Sequence, residues 1–397
     1  MCPATNSLSF DPLFCPYDHS DSVDFDALAT GYYDAATAAI MTIAVESGRT
    51  LGEGQFVLEE ELLAKTGSRC WASELGYAFQ LAHQGGRLID NALAQLALYN
   101  ARLGKRQDIT LRTARGSYLI VAGIAIGSAG FVEIHSDQMT IDVHTENLNL
   151  KFEDHKGYWE CTSHPSLLRK RARGTNLIVT GGNCLDPELV YAVDPPGDST
   201  RFDTAVSNIE AAISLIVQCV PEYGPWCERF LRQVHVIGQS REDASFSRSS
   251  ASRPGYVVAS APMPVVLQAE MLVHECTHQY YFLLELLTRI PVDPESKERF
   301  FSPLVGRERP IERLLVAYHA VANMLLFHTE LLRNYPEHSD LSRERIGVLK
   351  PAGTDMLDTL NRNSRLLTAN ANAFWQPSRS RIENLAQNAS AVENVIA

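Results

Sequence analysis

The stretch AEMLVHECTHQYYFLLELL, residues 269–287, decides how the C-terminal half of this chain is read. It has no proline or glycine and sets apolar side chains on nearly every side, which predicts a helix buried in a protein interior. Within it stands His274-Glu275-Cys276-Thr277-His278. Helical residues four apart are separated by about 400° of rotation and about 6 Å of rise, so both imidazoles share one face and are placed to bind one metal ion. Glu275 follows the first histidine directly. Beside an open coordination position its carboxylate is placed to orient or deprotonate a bound water or a substrate, which is the logic of the HExxH signature. The bland reading is a core helix whose histidines satisfy each other or a carbonyl. It must also account for a glutamate among apolar neighbours.

Two helical histidines alone hold a metal weakly, and catalytic sites take a third protein ligand. Downstream, the run RPIERLLVAYHAVANMLLFHTELL, residues 309–332, offers Glu312, His319 and His328. His319 is flanked by Leu314, Leu315, Val316, Ala317, Tyr318, Ala320 and Val321, so its ring is expected to point inward. Glu312 stands near the helix start, where the dipole already favours a carboxylate as a cap. His328, nine residues on, is rotated about 180° from His319. His319 therefore ranks first as the third ligand, with Glu312 as the alternative.

The chain as a whole has 397 residues, 45% of them hydrophobic and 21% charged, as expected of a globular protein with a sizeable core. Its net charge of −12 argues against a nucleic-acid partner held through phosphates. The eight cysteines, at 2, 15, 70, 161, 184, 219, 227 and 276, form no CxxC pair, and the N-terminus has neither a basic nor an apolar signal region. Reduced thiols in a cytoplasmic protein are the expectation. No run reaches the ~18 to 20 consecutive apolar residues of a membrane span, so no membrane partner is expected.

The pattern along the chain divides into three regions and predicts an α+β fold. Residues 1–106 form a helical N-terminal layer, with apolar residues at three- and four-residue spacing in 25–48 and 75–104, each run closed by a glycine. Residues 107–200 are β-rich, alternating apolar and polar positions between Gly, Asn and Asp as antiparallel hairpins do. YLIVAGIAIGSAGFVEI, 118–134, reads there as a pair of buried strands. Residues 201–397 form a mostly helical, zincin-like metal-binding part. In it the strand Tyr256 to Ala259 precedes the HExxH helix as a candidate substrate rail, or equally as an interior strand.

Other features read as structural. His83 is an ordinary helix histidine, and His135 and His144 are cross-strand neighbours on a half-exposed sheet. Arg169-Lys170-Arg171-Ala172-Arg173 is a solvated face, with an acidic partner segment as the less favoured reading. Thr180-Gly181-Gly182-Asn183 lacks phosphate-loop spacing and marks a turn.

Leu272-Val273-His274-Glu275-x-x-His278, then Phe300-Phe301-Ser302-Pro303, Arg309-Pro310-Ile311, and the Leu314-Leu315 and Tyr318-His319-Ala320 helix together resemble the HExxH-motif peptide-modification proteins. These are described as α-ketoglutarate-dependent HExxH-type peptide β-hydroxylases of modified-peptide natural-product biosynthesis. The resemblance covers roughly residues 255–330, with a weaker echo at Leu366-Leu367-Thr368. It implies a mononuclear Fe(II) oxygenase. His274, His278 and His319 would hold iron, 2-oxoglutarate would be the cosubstrate, and Arg309 would pair with its distal carboxylate, a role suited to a fork-shaped guanidinium. The substrate would be a peptide or amino-acid-derived precursor hydroxylated at an unactivated, β carbon.

Two other classes compete. A gluzincin-type zinc metallopeptidase would use Glu275 as general base, with Glu312 or His319 as third ligand and no cosubstrate. A catalytically silent zincin-like binding module would keep the helices without an arginine facing the metal.

Overall fold

The computed structural model describes residues 11–14, 24–52, 54–115, 118–127, 130–146, 148–155, 159–163, 168–181, 199–237, 246–376 and 379. The α+β expectation holds, with long helices beside predominantly antiparallel sheets. The compact units follow different lines from the three sequence regions. One comprises residues 1–24, 208–227 and 263–397, and the other residues 25–207 and 228–262.

The second of these units begins with helices α2 (Phe25–Glu46), α3 (Glu60–Thr66), α4 (Ser73–Gln84) and α5 (Leu88–Arg102); α1 (Asp11–Phe14) precedes them in the other unit. Asn100 ties this layer together, its Oδ1 accepting from the Tyr33 hydroxyl at 3.0 Å while its Nδ2 donates to the Phe56 carbonyl at 2.8 Å. Helix α4 is held close to the 252–254 segment because Gly76 has no side chain: a Cβ there would lie 2.3 Å from the Ser252 carbonyl oxygen.

The β-rich region folds as β1 (Gln107–Arg112), the hairpin β2 (Tyr118–Val121) and β3 (Ile124–Gly127), then β4 (Phe131–Ser136), β5 (Thr140–Thr145), β6 (Asn149–Asp154) and β7 (Trp159–Cys161). Strands β1, β4, β5, β6 and β7 make one antiparallel sheet in that order. The β2–β3 turn places Ala122 and Gly123 at φ 48° and 80°, the paired left-handed conformation that matches strand twist in a two-residue hairpin. His135 and His144 are ring neighbours at 5.8 Å, and their Nδ1 atoms bond Asp108 and Asn149.

A second sheet crosses the predicted boundary at residue 200. Its order is β11 (Ser247–Ser249), β12 (Tyr256–Ser260), β10 (Gln233–Ile237), β9 (Ile178–Thr180), β8 (Arg169–Arg171). Strand β10 runs parallel to both neighbours, and β10 and β12 are buried along their whole length, as strands covered on both faces are. Strand β12 is paired on both sides, by β10 and by β11, so the substrate-rail reading of Tyr256 to Ala259 is corrected to an interior strand. The basic run supplies edge strand β8. Lys170 pairs with Asp203 at 2.6 Å, Arg169 Nε donates to the Ala122 carbonyl, and Arg171 donates to Asn176. Gly182 and Asn183 of the predicted turn, and most of the serine-rich loop before β11, lie outside the described residues.

The other unit is mostly helical, and the boundary between the units falls within α6 (Ser199–Cys219) and α7 (Tyr223–Phe230). Its long helices are α8 (Val265–Leu287), α9 (Ile311–Asn334) and α10 (Ser339–Arg362), with the hairpin β13 (Phe300–Ser302) and β14 (Arg307–Arg309) before α9 and a helical stretch at 369–376. Tyr280 of α8 stacks on Trp226 with ring centroids 4.1 Å apart, and its hydroxyl donates to the Trp226 carbonyl. Tyr281 donates to the Glu312 carbonyl at 2.8 Å and fixes α8 against α9. Helix α9 is long and apolar enough to cross a bilayer by length and composition, but 89% of that window is buried within the protein. The described cysteines, 70, 161, 219, 227 and 276, are free thiols.

Candidate metal centre

Helix α8 delivers the first two predicted ligands as its periodicity requires. The His274 and His278 rings are edge to face with centroids 4.5 Å apart, both half-buried. Glu275 is 1% exposed. Its Oε1 lies 3.9 Å from His274 Nε2, and its Oε2 is buried with no hydrogen-bond partner. An unpartnered carboxylate oxygen costs on the order of 1 to 3 kcal/mol or more. Gln268, seven residues earlier and so on the same helical face, is fully buried with both amide atoms unpartnered.

The third predicted ligand has a partner that lies 305 positions away in sequence. His319 Nε2 donates to the Phe14 carbonyl at 2.6 Å, and Asn323 Nδ2 donates to the same oxygen at 2.8 Å. The ring is packed between Phe14 and Phe374, with centroids 4.7 and 4.8 Å away. Burial drives its pKa down to about 3 against the opposing bonds to the Phe14 and Leu13 backbone, so the ring is neutral. A carbonyl can only accept, so the proton sits on Nε2. The remaining lone pair, on Nδ1, is buried and unpartnered. Burial, then the neighbouring His274, and then His319, Arg313 and Arg309 hold His278 well below the usual imidazole range, so it too is a neutral donor.

Tested as a metal centre, this donor set fits in part. His274 and His278 share a face, Glu275 is an orphaned acid beside them, and His278 and His319 carry unpartnered buried Nδ1 atoms. His319 Nε2 does not fit, being engaged by Phe14. Among the described residues, no set of three or more His, Cys, Asp or Glu side chains is gathered to hold a metal as it stands.

Arg309 ends β14, opposite Phe300 in the hairpin register. It is half-buried, and desolvation followed by the charges of Arg307 and Arg313 lowers its pKa. Glu312 is half-buried in the first turn of α9, and the interaction that fixes its place is made by its backbone carbonyl.

One further cluster of charged side chains adjoins the histidines on α8. Glu270, one turn before His274, accepts from His328 Nε2 at 2.6 Å and from Arg345 Nε and Nη2 at 2.7 and 2.6 Å. Its position in the series 270, 274, 278 was the available signal. His328, also bonded to Ser342, is thereby a buried link between α8, α9 and α10.

Comparison with known proteins finds no family model and no curated protein that matches the chain.

Proposed function

We propose that this chain is a cytoplasmic Fe(II)/2-oxoglutarate-dependent oxygenase that hydroxylates an unactivated carbon of an amino-acid residue in a peptide or related precursor. The observation that carries this reading is the His274–His278 pair beside the orphaned Glu275 carboxylate, under the positive field of Arg309 and Arg313. A cationic rim beside the neutral His278 imidazole suits an acidic cosubstrate.

In this reading His274, His278 and His319 hold the metal, with Nδ1 the position open on His319. Iron held there would supply dioxygen activation, and 2-oxoglutarate would supply two of the electrons needed. Glu275 orients a water or the substrate by hydrogen bonding through the oxygen that has no other partner. Arg309 binds the far carboxylate through parallel N–H bonds, and the α8–α9 bond from Tyr281 to Glu312 keeps the two ligand helices in register.

The test is incubation of the anaerobically purified chain with Fe(II), 2-oxoglutarate and oxygen. Succinate release above the no-iron control supports the reading. Peptide-bond cleavage supported by zinc with no cosubstrate would replace it with the gluzincin-type metallopeptidase, a reading favoured by one observation, the buried free oxygen of Glu275.

A further inference from the structure

The short turn α1 is held in the way a bound peptide is held. It is four residues long, too short to be stable as a helix by itself. It packs with α8 and α9 in one unit, although the chain next enters the other unit at Phe25. Its Leu13 and Phe14 side chains are 1% and 0% exposed, so both are fully taken into that unit.

Two side chains one turn apart on α9 grip the α1 backbone. His319 Nε2 and Asn323 Nδ2 both donate to the Phe14 carbonyl, at 2.6 and 2.8 Å. The Asn323 amide is oriented by groups outside α1. Its Oδ1 accepts from the Tyr223 hydroxyl at 2.7 Å, and its Nδ2 also donates to the His319 carbonyl at 3.0 Å, which leaves the second N–H facing Phe14. The Phe14 ring fills an aromatic pocket, with centroids 4.7 Å from His319, 5.2 Å from Phe374 and 6.0 Å from Tyr318. The Phe374 contact is edge to face, an arrangement that aromatic pairs favour.

A main-chain carbonyl held by paired donors, with the adjoining side chain in a shaped pocket, is the chemistry of peptide recognition: backbone bonds give affinity and the pocket gives selectivity. An ordinary core phenylalanine needs only the pocket. His319, Asn323 and Phe374 are all fully buried, so without a carbonyl at this point two buried donors would go unmet. The site therefore calls for a peptide group, from α1 or from another chain.

We propose that α9 carries a binding site for an apolar–aromatic residue pair of a peptide, and that Leu13-Phe14 is its internal occupant. The segment is an autoinhibitory plug, which has to leave before a peptide of the same chemistry binds in trans. The inference stands on hydrogen bonds and packing alone. It shares with the proposed hydroxylation only the peptide class of the partner, and its test needs neither iron nor 2-oxoglutarate.

The test is fluorescence anisotropy of a labelled peptide, SFDPLFSP, which is residues 9–16 with serine at the cysteine position, titrated with the full chain. In the parent the internal copy competes at an effective concentration on the order of millimolar, so capture should be weak. Phe14→Ala takes the ring from the internal copy and should bind the labelled peptide at least tenfold more tightly, one per chain. The peptide should also raise the melting temperature of that variant towards the parent's, because it binds only the folded chain. The same peptide with alanine for its second phenylalanine should bind neither protein. If Phe14→Ala does not melt cooperatively, Leu13→Ala, which trims the internal copy and keeps its ring, carries the same expectation. Loss of cooperative melting in both variants would mark the segment as core and overturn the proposal. So would the absence of saturable binding to the folded variant, equal affinity in variant and parent, or equal binding of the alanine peptide.

Discussion

Replacing Glu270 by Gln gives a stability change whose size and pH dependence both follow from the geometry. The Glu270 side chain is 10% exposed, and its oxygens accept three short bonds, two from Arg345 and one from His328. Burial raises its pKa, but the bonds from His328 and Arg345 and their charges outweigh burial and bring it from 4.5 to about 2. A carboxyl group with a depressed folded-state pKa stabilises the fold fully above its unfolded value and loses that contribution as pH falls through the folded one. The gap corresponds to about 3 kcal/mol at pH 7, falling to about 2 at pH 3.5 and about 1 at pH 2.5. Glu270→Gln should therefore lower unfolding free energy by about 3 kcal/mol at pH 7, and the two proteins should converge on acidification, because a protonated glutamate and a glutamine carry the same charge. Urea unfolding of both proteins at a series of pH values from 7 to 2.5 measures this. A difference that stays constant or widens below pH 4.5 would refute the assignment of the ion-pair network.

Three further outcomes follow. Gly76→Ala should cost more than about 3 kcal/mol, since the new methyl would meet the Ser252 carbonyl at 2.3 Å and Pro254 Cδ at 2.4 Å; thermal unfolding reads this, and a near-neutral result would mean that the 252–254 segment yields freely. Glu275→Met should raise stability by about 1 to 3 kcal/mol by removing an unpartnered buried carboxylate, while abolishing succinate release and leaving metal content unchanged. Arg309→Lys retains the charge but loses the second parallel bond, so cosubstrate affinity should fall by about 1.5 to 3 kcal/mol with iron content unchanged; an unaltered titration would move the anchor to Arg307 or Arg313.

Local structure was legible wherever chain neighbours determine it. The helix runs closed by Gly48 and Gly104, the buried hairpin 118–127 and the shared face of His274 and His278 all follow from spacing and turn chemistry. Long-range pairing was not. Strands β8 and β9 join β10 across some fifty residues, so the boundary expected at residue 200 cuts through a sheet, and the pairing of β12 on both sides depends on β11, a three-residue strand with no apolar alternation. The environment of His319 was legible only in part. The apolar run around it correctly buries the ring, but its hydrogen-bond partner is a backbone carbonyl at Phe14, and a carbonyl leaves no mark in the sequence.

The proposed function requires His274 and His278 to share a metal ion. Its most direct test is the metal content of the full chain purified anaerobically and reconstituted with Fe(II), measured beside His274→Ala and His278→Ala after both variants are shown to melt as the parent does. One iron per chain is expected in the parent, with most of it lost in each variant. Equal metal content in all three proteins would contradict it.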